Sequence, residues 1–165
     1  MRFSDLALIK PLLHEVKQNG HDKPTPIQQS TIPVVQQGDD LMATAQTGMG
    51  KTAAFVLPIL QQLNDSGRVK PGRVKSLVLT PTREPAVQVH ASAETYGQLL
   101  KLNSAVVFGG VNINPQIRRL KKGVDVRVAT PGRLLDLYQQ QAVSIDDVQV
   151  FVLDDADRML DMGFI

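Results

Sequence analysis

The residues Ala45-Gln46-Thr47-Gly48-Met49-Gly50-Lys51-Thr52 carry the most specific chemistry in this chain. Small residues let successive backbone N–H groups converge on phosphate oxygens. Gly48 and Gly50 permit such a turn, and a helix opening at Lys51 would direct its positive end at the anion. Ala45 stands where the short phosphate-loop pattern has its first glycine. In that chemistry the Lys51 ammonium reaches the terminal phosphates and the Thr52 hydroxyl ligates Mg2+. An ordinary glycine turn with a chance lysine is the alternative. Against it stands the order of elements, an apolar strand-like run at 40–45 before the loop and a helical pattern at 51–63 after it.

Far downstream, the apolar run 148–153 leads directly into Asp154-Asp155-Ala156-Asp157. A strand that delivers a carboxylate to its carboxyl end suits a magnesium ion held mostly through water. Asp154 is the candidate for that role, and Asp155 for orienting or deprotonating an attacking water. The same letters also describe a strand running into a helix N-cap, where Asp is favoured.

Such groups need a framework, and the hydrophobic pattern supplies one. Ser4 is placed to cap a first helix carrying Leu6, Ile9, Leu12, Leu13 and Val16, closed by Asn19-Gly20. Lys23-Pro24-Thr25-Pro26 is rigid and extended, and a second helix spans about 27–37 with Pro33 as a possible kink. Short apolar runs then alternate with helical patterns: strands at 40–45, 76–80, 104–108, 125–129 and 148–154, and helices at 51–63, 83–100, 114–121 and 132–139. Strands buried on both faces and joined by helices predict a parallel α/β sheet, whose ligands lie at the strands' carboxyl ends.

Composition narrows the classes. The 165 residues are 42% apolar and 21% charged, enough for a core and against wholesale disorder. The net charge of +2 is too mild to signal nucleic-acid binding by bulk charge. With no cysteine and His14, His21 and His90 lacking ligand spacing, disulfide scaffolds, thiolate chemistry and zinc fingers are excluded. The absence of thiols suits a reducing, cytoplasmic setting. The longest apolar stretch, 53–60, falls far short of a membrane span, and Asp5 and Lys10 interrupt any leader-like run, so no membrane partner is expected.

Taken in order, the motifs resemble those of the first RecA-like domain of DEAD-box RNA helicases, of the bacterial RhlE-like kind. The likeness covers essentially the whole chain. It rests on Phe3, Gly20, Pro24-Thr25-Pro26-Ile27-Gln28, the segment from Ala45 to Thr52, Pro81-Thr82-Arg83-Glu84, Gly109-Gly110, Thr130-Pro131-Gly132-Arg133 and Asp154-Asp155-Ala156-Asp157. The resemblance implies a three-layer RecA-like P-loop fold with a mainly parallel sheet flanked by helices. Residues 1–38 would hold the N-terminal helices and adenine-recognition motif, and 39–165 an incomplete ATP-binding domain, the second RecA-like domain being absent.

By the same resemblance ATP and Mg2+ are the cofactors and RNA the partner. Gln28 would read the adenine edge, Phe3 would belong to the adenine region, and His21 would stand where the family usually has Phe or Tyr. Phe3 reads equally well as a staple under the first helix. Pro81, Thr82, Arg83, Glu84, Gly109, Gly110, Thr130, Pro131, Gly132 and Arg133 would contact the RNA backbone. Thr82 and Thr130 would also cap helices, and the run from Arg118 to Lys122 reads first as a solvated face.

Two departures stand out. Asp155 replaces the family's Glu, drawing the carboxylate back by on the order of 1 Å, a misplacement that can cost about 100-fold in rate. Mg-ATP binding with weakened hydrolysis is therefore expected. Pro85 replaces the usual Leu and is expected to disturb the backbone at Glu84. The leading expectation is an ATP-dependent RNA helicase whose isolated ATP-binding half is nearly inactive. A hydrolysis-impaired RNA clamp, a DNA-directed relative and a small-molecule kinase are the alternatives. The family's Ser-Ala-Thr segment does not occur, so the sheet is expected to lack a strand and leave apolar surface uncovered.

Overall fold

Residues 1–164 are described by a computed structural model and fall into two compact units. The first comprises Met1–Gly67 and Ser92–Lys101. Its chain opens with a 3-10 turn, Phe3–Leu6, followed by α1 (Lys10–Gln18), α2 (Pro26–Gln36) and α3 (Lys51–Asn64). The single helix expected from Ser4 is thus divided, and Ser4 caps nothing. Pro11 has no N–H to offer the Ala7 carbonyl. Ala7 instead turns left-handed at φ 55°, and its carbonyl accepts the Gln61 amide at 3.0 Å. The other end of that amide, Gln61 Oε1, accepts the Ile9 N–H at 2.8 Å.

Helix α2 continues through Pro33, and α3 packs along it, with Gln62 donating to the Val35 carbonyl. From Ala54 to Leu60 every residue of α3 is buried. A helix apolar on all sides belongs in a core.

The second unit comprises Arg68–Ala91 and the chain from Leu102 onward. It holds β1 (Val74–Leu79), most of α4 (Arg83–Tyr96), β2 (Ser104–Val107), α5 (Ile113–Leu120), β3 (Val124–Ala129), α6 (Pro131–Gln139), β4 (Val150–Leu153) and α7 (Ala156–Asp161). The four strands are all parallel in the order β2-β3-β1-β4, in the register Leu77↔Arg127, Leu79↔Ala129, Val107↔Ala129 and Leu79↔Leu153. This is an α/β architecture consistent with a RecA-like domain. One core cluster joins Leu77, Ala105, Val107 and Ala129 to Leu120 of α5 and Leu137 of α6. Burying each such leucine is worth about 1.5–3 kcal/mol. All six residues of β3 are buried, as a strand covered on both faces requires.

Among the expected strands, one departs from the sequence pattern. The predicted strand at 40–45 does not form: residues 39–46 have no regular structure, and Met42 is 96% exposed. A strand exists only by pairing, and no described strand is in register with this segment. On β4, Phe151 and Leu153 stand exposed on the face that Leu77 and Leu79 share.

Candidate functional site

In the first unit, a turn closed by the Met49 N–H on the Gln46 carbonyl (3.2 Å) leads into α3. Gly48 and Gly50 take φ 85° and 79°, values that L side chains rarely adopt. Lys51 and Thr52 are the first helical residues, so the N–H groups there lack intrahelical acceptors and face the loop. Loop and helix therefore form as expected, and only the strand before them is missing. Ala45, Gln46, Thr47 and Met49 flank the turn, which is open at Gly48, where an added Cβ would meet nothing within 4 Å.

Gln28 is 4% exposed and binds this loop directly. As the third residue of α2 it completes a reciprocal cap: its Oε1 accepts the Thr25 N–H at 3.0 Å, and its own N–H reaches Thr25 Oγ1 at 3.5 Å. Its Nε2 donates to the Gly50 carbonyl at 3.1 Å. A Cβ on residue 50 would run into that Nε2. The carboxamide retains one N–H and one lone pair, a donor and an acceptor side by side. Phe3 is buried in the core of this unit, whereas His21 is exposed with its ring 6.4 Å from that of Tyr96. Burial raises the Tyr96 phenol above its ordinary value.

In the second unit, the remaining motifs gather at one end of one sheet. Pro81, Thr82, Arg83 and Glu84 follow β1, Gly109 and Gly110 follow β2, Thr130 to Arg133 follow β3, and Asp154 and Asp155 follow β4. Parallel strands must deliver their carboxyl ends to the same side. Thr80, fully buried, donates its hydroxyl to the Thr82 carbonyl at 3.1 Å and so holds the first segment down. The helix runs unbroken through Glu84 and Pro85, with the Ala86 N–H on the Thr82 carbonyl at 3.4 Å. The disturbance expected at Glu84 is absent, because Pro85 lies in the first turn where its missing N–H has no helical acceptor. Thr130 occupies the N-cap position of α6 but makes no side-chain cap bond, contrary to the capping expected of it.

A polar network joins these segments. The Arg133 guanidinium donates to Gln116 Oε1 at 2.9 Å and to the Val111 carbonyl at 2.8 Å. Gln116 Nε2 donates to the Phe108 carbonyl at 3.2 Å, and the Arg83 guanidinium lies 4.5 Å above the Phe108 ring. Phe108 and Gln116 were invisible to motif reading. Their only signal was position, one residue before Gly109 and on the helix after it.

Asp154 is 7% exposed, its N–H bonded to the Leu79 carbonyl at 2.9 Å. Asp155 adopts a left-handed conformation (φ 52°, ψ 49°) at the start of α7 and makes no cap bond with its side chain. The N-cap reading therefore accounts for its place in the chain but not for its carboxylate.

A glycine loop opening a helix, together with a parallel sheet whose edge strand ends in aspartates, is the make-up of a nucleotide-driven RecA-like domain. The DEAD/DEAH box helicase pattern matches residues 25–165. An ATP-dependent RNA helicase DRS1 of Lodderomyces elongisporus is 43% identical over 98% of this chain and 24% of its own length. DEAD-box ATP-dependent RNA helicase CshA of Streptococcus pneumoniae is 42% identical over all of this chain and 31% of its own. ATP-dependent RNA helicase CshA of Limosilactobacillus reuteri is 41% identical, again over all of this chain and 32% of its own. The chain belongs to the DEAD/DEAH box helicase family. It spans about a quarter to a third of the length of these relatives, which carry the family and not an RhlE-like subtype. No helix among the described residues is long and apolar enough to cross a membrane.

Proposed function

We propose that this chain is the ATP-binding part of a cytoplasmic, ATP-dependent RNA helicase, coupling nucleotide binding and hydrolysis to RNA binding and local strand separation. Residues 1–38 supply adenine recognition, and 39–165 the first RecA-like domain, which works with a second such domain elsewhere in the longer protein. The observation that carries the reading is the Gln28 amide on the Gly50 carbonyl, which leaves one donor and one acceptor for the adenine edge beside a phosphate loop.

The residues fit Mg-ATP. The turn leaves room for phosphate oxygens at Gly48, Lys51 supplies a cation and Thr52 a hydroxyl at the helix start. His21 offers an exposed ring for the base, and Phe3 supports the adenine region from the core of the same unit. Asp154 would present its carboxylate to a hydrated magnesium ion, and Asp155 would hold the attacking water. Mg2+ supplies charge neutralisation at the transferred phosphoryl group. On the rim, Thr82, Arg83, Gly109, Gly110, Thr130 and Arg133 offer hydroxyl, guanidinium and free N–H groups to a phosphodiester backbone. Pro81, Glu84, Pro131 and Gly132 shape the turns between them.

A second reading, a nucleotide-dependent RNA clamp with impaired hydrolysis, is favoured by Asp155. The test is binding of fluorescent ATP to the chain in competition with ATP and GTP, together with RNA-stimulated ATP turnover by the longer protein. ATP should compete and GTP should not. Equal competition would sink the adenine-reading role of Gln28. Stimulated multiple turnover supports the helicase, and RNA binding without turnover supports the clamp.

A further inference from the structure

Away from the rim, the second unit has a basic cleft of about 710 Å³ lined by Asn103, Ser104, Gln116, Arg118, Arg119 and Lys122 among others. It opens at the amino ends of β2 and β3, where Ser104 and Val124 begin their strands. Given the rise per residue, β3 sets this end about 17 Å from the carboxyl-end rim. No acidic residue lines it. The nearby Asp125 carboxylate is buried and accepts the Asn103 N–H at 2.8 Å. Arg119 is held by the Ser104 carbonyl at 2.8 Å, whereas Arg118 and Lys122 are exposed and make no ion pair among the described residues.

We infer that this cleft is a second, sequence-independent contact for the RNA backbone, continuing the path that begins on the rim. The inference rests on the reading above that the rim binds RNA. Gln116 makes the continuity physical: its amide holds Arg133 on the rim, and it also lines the cleft. Forked guanidinium groups and a lysine suit phosphodiester oxygens. The cleft offers no aromatic ring for base stacking and no exposed large apolar pocket to anchor a peptide, which sets RNA above an acidic protein as its occupant. One or two cations at the end of α5 offset the helix dipole. Together with Lys121 and Lys122, Arg118 and Arg119 exceed that need.

The experiment is fluorescence anisotropy on the full chain with oligouridylates of about 16 and about 4 nucleotides, across a salt series. Arg118→Gln/Lys122→Gln, checked for folding by circular dichroism, should weaken binding of the longer RNA and leave the shorter one unaffected. Its slope of log affinity against log salt should become shallower by about 1.4. Arg118→Lys, which keeps the charge, should keep the slope. An unchanged slope and affinity in the double variant, with Arg133→Ala still weakening RNA binding, would overturn the cleft while leaving the rim intact. No RNA binding by the unaltered chain would overturn both. Displacement by polyglutamate as effective as by RNA, and lost in the double variant, would overturn the RNA assignment in favour of an acidic partner.

Discussion

Gln28 donates its amide N–H to the Gly50 carbonyl at 3.1 Å while its amide oxygen accepts the Thr25 N–H at 3.0 Å. One buried side chain therefore caps α2 and fixes the last residue before α3. Loss of that donor at the Gly50 carbonyl should therefore disturb the loop before α3 as well as the stability of the unit.

Gln28→Ala should lower unfolding free energy by about 1–3 kcal/mol, because two part-buried backbone groups lose their partner. ATP affinity should fall at the same time. Gln28→Glu should do at least as much harm, since it sets a carboxylate against the Gly50 carbonyl. Urea unfolding and fluorescent-ATP titration check both; unchanged ATP affinity would confine Gln28 to capping.

Gly48 and Gly50 share a left-handed backbone but differ in surroundings. An added Cβ at Gly48 meets nothing within 4 Å, whereas at Gly50 it runs into Gln28 Nε2 and lies 3.1 Å from Thr25 Oγ1. Gly48→Ala should cost only the backbone term, about 1–2 kcal/mol. Gly50→Ala should cost more, and less than additively in combination with Gln28→Ala. Thermal or urea unfolding of the set decides it.

Arg127 is fully buried in β3, paired in register with Leu77 and Ala105, and none of its three guanidinium nitrogens has a hydrogen-bond partner. Desolvation lowers its pKa to about 10. Arg127→Leu should therefore stabilise the chain by about 3 kcal/mol at neutral pH. Above about pH 10 the folded chain loses a proton that the unfolded chain, with its ordinary guanidinium, still keeps, so this contribution to stability rises with pH. The gap between variant and parent should hold up to about pH 10 and narrow above it. The raised Tyr96 phenol acts in the opposite direction, destabilising the fold as alkaline pH ionises the unfolded chain first, but it is common to both proteins and cancels. Urea unfolding over a pH series measures the gap. A gap independent of pH would mean that Arg127 stays charged.

Phe108 and Gln116 hold the rim arginines. Phe108→Ala removes a cation–π contact worth about 0.5–1 kcal/mol at an exposed site and frees Arg83. Gln116→Ala leaves the Arg133 fork with the Val111 carbonyl alone. Each should weaken RNA binding several-fold with ATP affinity unchanged, read by anisotropy and nucleotide titration side by side.

Asp155→Glu in the longer protein should raise RNA-stimulated turnover by about 100-fold if carboxylate reach alone limits it. The left-handed backbone at residue 155 tolerates Asp better than Glu, so part of that gain will be offset. Steady-state ATPase assays supply the number, and no gain would assign the limitation elsewhere.

Motif spacing located the glycine loop and the strand-end segments because those depend on local backbone requirements: glycine where φ is positive, a carboxylate at the end of an apolar run. The division of the first helix was also written locally, in Pro11, but shows its effect only once Gln61 takes up the freed carbonyl at Ala7. The run 40–45 has the composition of a strand yet forms none, because a strand is a property of two segments and composition describes one.

Within each β-α unit, then, residue types and short spacings determined which elements form and which chemistry they carry, since helix periods, caps and turns are settled within a few residues. Only the tertiary structure decided that Gln28 reaches Gly50 and that Phe108 and Gln116 bind the rim arginines. The same holds for Arg127, which lies without a partner inside the sheet. Each of these depends on which strands become neighbours and in what register, and side-chain contact across such distances in the chain is fixed by packing rather than by local sequence.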